Sequence, residues 1–133
     1  MPVYLIQGFF FQDQERLGLA MSSEAKGAVA VVNSGLCRFM YAGVIYPAEN
    51  ETANEYVGQM FDHFGDAALS DIKLSADQLE FVKKYNHRND LIDYIFLKRN
   101  GIWVGSYSGS VVGQGSAKCV ITEVPQDFFQ PPE

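Results

Sequence analysis

Residues 91–110 read LIDYIFLKRNGIWVGSYSGS, and the Asn100-Gly101 pair at their centre decides how this part of the chain folds. A type I′ turn needs positive φ at both central residues, and Asn-Gly is the pair that tolerates this conformation best. The pair therefore predicts a two-residue β-hairpin in which Arg99 lies opposite Ile102, and this register continues outward along both strands.

The register brings aromatic and glycine residues to one face of the hairpin. Phe96 falls opposite Gly105, where a ring can cover the missing side chain, and Lys98 falls opposite Trp103, within reach of a cation–π contact. Rings supply contact area and glycines leave room, so this face is a candidate ligand site, although it fits a solid core equally well. The candidate ligand-binding residues are Tyr94, Phe96, Trp103, Gly105 and Tyr107.

Strand patterns also dominate the rest of the chain. Apolar, β-branched and aromatic runs predict strands at 2–11, 28–33, 36–47, 72–75, 78–86, 91–99, 102–110 and 116–124. About eight strands close a small barrel around packed side chains or one small ligand. The sequence therefore predicts one mainly β domain over residues 1–133, either a β-barrel or a strongly bent antiparallel sheet.

One segment predicts a helix instead. Thr52 and Glu55 match a capping box, apolar residues follow at helical spacing as far as Phe64, and Gly65 suits a left-handed C-terminal cap. We expect an amphipathic helix over residues 52–64. The segment near 76–86 also follows a capping box and has apolar residues at helical spacing. A second helix there is an alternative, and it would make the fold α+β.

Residues 79–109 resemble a pattern found late in small calycin-like (lipocalin-like) β-barrels. In that pattern a strand reading F-x-K-x-Y is followed by an x-I-x-Y strand and then by a strand that starts near G-x-W-x-G. The resemblance implies a ligand-binding barrel. The matching residues are Phe81, Lys83 and Tyr85, then Ile92 and Tyr94, then Gly101, Trp103 and Gly105.

The charge and the N-terminal sequence narrow the classes of function. The chain carries 10 Lys and Arg against 16 Asp and Glu, a formal net charge of −6. Sequence-independent nucleic-acid binding needs several cations to neutralise phosphates, so nucleic acid is not an expected partner. The N-terminus lacks a basic region and a long apolar run, so we expect no signal peptide, no membrane span and a cytoplasmic location.

No residue pattern indicates a cofactor or a metal. His63 and His87 have no nearby Cys or repeated His at ligand spacing, and both are interpreted as solvent-exposed side chains. Cys37 and Cys119 are too few for a disulfide framework, and both are interpreted as small buried hydrophobes.

The candidate catalytic residues are Asp93 and Glu123. Asp93 lies opposite Ser108 in the predicted hairpin, and Glu123 would lie opposite Ser106 if Gln114-Gly115 closed the next hairpin. Two carboxylates and two hydroxyls would then lie close together. In such an arrangement the pKa values of the two carboxylic acids become different, so that one can act as an acid and the other as a base. Solvent-facing polar residues fit the same pattern, so the sequence favours a protein that is not an enzyme.

The preferred interpretation is a small, non-enzymatic β-barrel that binds a small apolar or amphipathic ligand. One alternative is a protein-interaction or homodimerisation module, using the acidic face of the predicted helix or an edge strand next to the Phe128-Phe129 tail. The other alternative is a small enzyme with the Asp93 and Glu123 carboxylate pair.

Overall fold

Eight antiparallel strands follow one another around a closed barrel in the computed structural model, which describes residues 2–13, 36–48, 55–125 and 127–128. β8 returns to pair with β1, with Val3 opposite Val124, so neither terminal strand is left as a sheet edge. The strands are β1 (Val3–Asp13), β2 (Leu36–Pro47), β3 (Tyr56–Asp62), β4 (Gly65–Leu74), β5 (Gln78–Tyr85), β6 (Ile92–Arg99), β7 (Ile102–Gly109) and β8 (Gly113–Val124).

Side chains alternate between the interior and the outer surface along each strand, because successive Cβ atoms of a strand point to opposite faces. β5 shows this most regularly, with every second residue buried from Leu79 to Tyr85. Aromatic rings fill much of the interior: Phe10 stacks on Phe39 and Phe81 stacks on Tyr94, each pair with ring centroids 5.0 Å apart. An eight-stranded barrel has an interior just wide enough for such packing.

The Asn100-Gly101 turn is confirmed. Both residues have positive φ, 52° and 81°, and Arg99 lies opposite Ile102 in the β6–β7 hairpin. Phe96 lies opposite Gly105 as expected. The Lys98 ammonium nitrogen is 5.9 Å from the centroid of the Trp103 ring, within the range of a cation–π contact.

The helix predicted over 52–64 is wrong for the residues that the structure describes there. Residues 56–62 form β3, which pairs with β2 on one side and β4 on the other, while Thr52 lies outside the described residues. Gly58 and Met60 face the interior with alternate spacing, and a central glycine weakens a helix. The apolar residues of this segment fit both the helical period and the strand period. Hydrogen bonds from the two neighbouring strands favour the strand.

Gly65, expected to cap that helix, instead begins β4 after a two-residue turn at 63–64. The alternative helix near 76–86 is also wrong, since that segment is β5. The predicted strands at 2–11, 36–47, 78–86, 91–99, 102–110 and 116–124 are confirmed, with ends that differ by a few residues. The strand at 72–75 is the end of the longer β4, and the one predicted at 28–33 lies outside the described residues.

Candidate functional site

The five residues predicted to bind a ligand all lie on strands β6 and β7 and face the barrel interior. The four with side chains, Tyr94, Phe96, Trp103 and Tyr107, are each at most 5% exposed. Tyr94 contacts Phe96 and Tyr107, with ring centroids 5.9 and 5.5 Å apart. These rings pack against one another, and their role as ligand contacts stays a prediction.

A buried polar cluster of Asp62, Lys83 and Tyr85 lies in the same interior. The Lys83 ammonium donates to Asp62 Oδ2 and to the Tyr85 hydroxyl, the latter at 2.9 Å. The Tyr85 hydroxyl in turn donates to Asp62 Oδ2 at 2.6 Å. The backbone N–H of Phe64 donates to Asp62 Oδ1 at 2.8 Å, so both carboxylate oxygens accept hydrogen bonds.

Aromatic rings surround the Lys83 ammonium. Its nitrogen lies 4.4 Å from the Tyr85 ring centroid, 5.1 Å from that of Phe10 and 5.6 Å from that of Tyr94. Burial lowers the pKa of Lys83, and the adjacent Asp62 carboxylate opposes this shift. Burial, together with the Asp62 charge, raises the pKa of Tyr85. The Lys83 and Asp62 side chains have no exposure to solvent.

The sequence held a partial signal for this cluster. Lys83 and Tyr85 belong to the F-x-K-x-Y strand, and period-two alternation from Phe81 places both on the inward face. Asp62 lies in the segment 52–64 that the sequence predicts as a helix, so the sequence does not predict its position next to Lys83.

A second feature, the apolar groove, lies on the outer surface where β1, β2, β3, β7 and β8 present apolar side chains. Its volume is about 670 Å³. Met40 is 71% exposed and Phe61 is 46% exposed at this surface, values that are high for large apolar residues. The groove is lined by Gln7, Gly8, Phe9, Met40, Tyr41, Ala42, Phe61, Ile102, Lys118, Cys119 and Val120.

A third feature is a groove of about 660 Å³ with a mixed polar and apolar lining. It extends from β3 to β7 and is lined in part by Tyr94 and Tyr107, two of the predicted ligand-binding residues. It includes Asp93, Ser106 and Ser108, three of the four residues predicted to form an acid–base site. The fourth residue, Glu123, is not among its lining residues.

The predicted Gln114-Gly115 turn is wrong, and this separates the two candidate catalytic residues. Gly109 pairs with Gly113, so the turn falls at 110–112 and Ser106 lies opposite Ser116 instead of Glu123. Glu123 pairs with Tyr4 of β1. Ser108, the partner of Asp93, pairs with Gln114, and Glu123 is further along β8 by about 30 Å of extended strand. The structure does not bring Asp93 and Glu123 together.

The remaining candidate groups show no arrangement for nucleophilic or metal chemistry. Cys119 is buried, and burial raises the pKa of its thiol to about 12, which is opposite to what a reactive thiolate needs. His63 and His87 are exposed, as expected. Among the described residues, no group of three or more His, Cys, Asp or Glu side chains could hold a metal ion.

Within the described ranges, no helix has the length and apolar character needed to cross a membrane.

The closed eight-stranded antiparallel barrel is compatible with a calycin-like fold. Comparison with known proteins finds no matching family model, no matching curated protein and no matching solved structure. The function is therefore inferred from the surfaces of the barrel itself.

Proposed function

We propose that this protein is a non-enzymatic binding module that takes a small apolar or amphipathic molecule in the apolar groove. The observation that carries this proposal is the exposure of Met40, Phe61, Ile102 and Val120 around one groove on a barrel whose interior is already filled with side chains. Contiguous apolar surface on a folded protein marks an interaction site, since covering it is favourable.

The dimensions of the apolar groove support a small occupant. Its volume of about 670 Å³ falls within the range of small-molecule sites, about 300–1,000 Å³. Its lining is mostly apolar, and Gln7 and Lys118 supply the few polar groups that would orient a ligand. This is the composition typical of small-molecule sites.

The proposal includes membership of the calycin-like families, supported by the barrel and by the F-x-K-x-Y strand of Phe81, Lys83 and Tyr85. It moves the binding site from the interior, which the resemblance implied, to the outer surface. The reason is the packing of Tyr94, Phe96 and Tyr107 against one another. A cytoplasmic location remains a prediction for cell fractionation to test.

Titration with the uncharged fluorescent probe N-phenyl-1-naphthylamine tests the proposal. Ile102 and Ile95 form a matched pair, because both face outward from the β6–β7 hairpin, at 45% and 40% exposure, and only Ile102 lines the apolar groove. We expect Ile102→Ser to weaken probe binding by about fivefold, as loss of roughly half a buried side chain implies. Ile95→Ser should bind the probe as the unaltered protein does.

Two kinds of result would overturn the proposal. One is the absence of probe binding to the unaltered protein, or equal effects of the two isoleucine substitutions. The other is probe binding that weakens as the protein concentration rises, with a dimer in sedimentation velocity, because a second copy would then cover the groove.

A further inference from the structure

Two cations border the same aromatic ring of the apolar groove. Lys118 in β8 lies opposite Phe9 in β1, and it lines the groove beside that ring. The Arg38 guanidinium carbon lies 4.8 Å from the centroid of the Phe9 ring, approaching from β2 on the other side. Arg38 and Lys118 are both exposed.

Among the side chains that the structure describes, neither cation has a carboxylate partner. The ion pairs formed there are Lys83 with Asp62 and Arg88 with Asp90. The lining of the apolar groove contains no Asp or Glu, although the chain as a whole carries a net charge of −6. The groove is therefore a local positive site on an acidic protein, and screening by salt confines the repulsion from distant acidic groups to about 8 Å.

The two cations lie toward one end of the groove, beside the apolar side chains of Met40 and Phe9. Met40, Phe9 and Lys118 form one cross-strand row, and Arg38 lies beyond it on the same face of β2. The next row in the other direction contains Phe61, Ala42, Gln7 and Val120. A molecule lying along the groove would therefore meet cations at one end and apolar side chains along the rest of its length.

From this arrangement we propose that the occupant of the apolar groove is an anionic amphiphile, a single apolar chain that ends in an anionic oxygen group held between Arg38 and Lys118. This inference rests on the proposed function. An arginine offers a planar fork of N–H donors to such a head, and a lysine adds a mobile point charge.

Calorimetric titration with three amphiphiles of equal chain length tests the inference: dodecanoate, uncharged dodecyl maltoside and dodecyltrimethylammonium, all below their micelle concentrations. We expect dodecanoate to bind about tenfold more tightly than the other two, as one well-placed charge pair implies. The double variant Arg38→Gln/Lys118→Gln should lose this preference and keep its affinity for dodecyl maltoside. Lys73→Gln/Lys84→Gln, which removes two cations from β4 and β5, should behave as the unaltered protein.

The outcomes separate this inference from the proposed function. Equal affinity for the three amphiphiles in the unaltered protein would refute the anionic head and leave the apolar groove as a binding site. Failure of all three to bind would refute both proposals. Co-sedimentation with phosphatidylglycerol vesicles, without binding of dodecanoate monomers, would show that a lipid surface is the occupant and would overturn the inference.

Discussion

Lys83 and Asp62 form an ion pair inside the barrel, and neither side chain has any exposure to solvent. Removing two charges from water is unfavourable, and the pair persists because Tyr85 and the Phe64 backbone satisfy the remaining hydrogen-bonding groups. The ion pair joins β3 to β5 across the intervening strand β4, so it links strands that do not pair with each other.

Lys83→Met should strongly destabilise the protein, because it leaves the Asp62 carboxylate buried without a counter-charge. We expect a loss of about 3–5 kcal/mol in the free energy of unfolding, measured by urea denaturation. Asp62→Leu/Lys83→Met should recover much of this loss, since no unpaired charge remains. Lys73→Met, at an exposed position, should change stability by less than about 0.5 kcal/mol. Equal effects of Lys83→Met and Lys73→Met would contradict the buried pair.

Alkaline pH should destabilise the barrel through its buried tyrosines. Burial raises the pKa of Tyr41, Tyr85 and Tyr94 above the ordinary value of 10.0. Above that pH the unfolded chain releases protons that the folded protein keeps, so this stability is complete below pH 10.0 and decreases as the pH rises. The pKa of Lys83 is lowered instead. Lys83 therefore makes the folded protein more stable as the pH rises toward 10.5, the ordinary pKa of a lysine.

The decrease in the stability of the folded protein should therefore be clearest above pH 10.5. Urea midpoints measured across this range test it, together with the ultraviolet absorbance of phenolate. We expect the three buried tyrosines to ionise only as the protein unfolds. Full phenolate absorbance in a protein that is still folded would show that these hydroxyls are accessible.

Cys119 should resist thiol reagents in the folded protein. Its side chain is 3% exposed, and burial raises the pKa of its thiol from 9.0 to about 12. In a Cys37→Ser background, Cys119 is the one remaining thiol, so its reaction with an aromatic disulfide reagent can be followed alone. We expect reaction at mildly alkaline pH to occur at the rate of unfolding and to become fast in urea. Rapid reaction without denaturant would contradict the packed position of Cys119.

Gly8→Ala should disrupt the closure of the barrel. A Cβ at this position would lie 2.0 Å from the Lys118 carbonyl oxygen and 2.7 Å from the Cys119 Cα, so β1 and β8 would have to separate. We expect a loss of at least about 3 kcal/mol, at the upper end of overpacking effects. Gln7→Ala changes the exposed neighbour on the same strand and should be nearly neutral. Equal stability of the two variants would show that the strands are less closely apposed.

Gly101→Ala should destabilise the β6–β7 hairpin through the backbone alone. Gly101 has φ of 81°, and a Cβ there would have no neighbour within 4 Å. The left-handed conformation is unfavourable for residues with a Cβ by about 1–2 kcal/mol, which is the loss that we expect in thermal or urea unfolding. Asn100→Gly keeps a residue that tolerates positive φ and should retain stability. A neutral Gly101→Ala would mean that the turn has another conformation.

The sequence predictions succeed where the structure depends on neighbouring residues in the chain, and they fail where it depends on residues far apart in the chain. The register of β6 and β7 depends on two adjacent residues, Asn100 and Gly101, whose φ preferences are local, and it is confirmed over the whole hairpin. The segment 56–62 contains apolar residues that fit both helical and strand periods. Pairing with β2 and β4 decided between them, and neither partner is recognisable from the segment itself.

The candidate sites also include one face that the sequence predicted and one groove that it did not. The predicted hairpin register placed Tyr94 and Phe96 on one face, which is the face that the structure buries. The apolar groove combines Phe9, Met40, Phe61, Ile102 and Val120 from five strands that are distant in the chain. No sequence window contains that set, because only the cross-strand register brings its members together.

The sequence by itself determined the Asn100-Gly101 turn, the register of its two strands and a mainly β fold, since φ preferences and period-two alternation act between near neighbours. The tertiary structure alone decided that β8 closes on β1, that Asp62 meets Lys83, and that the apolar groove forms on the outer surface. These relationships depend on contacts between residues far apart in the chain, whose pairing is chosen by the packing of the whole barrel rather than by any local pattern.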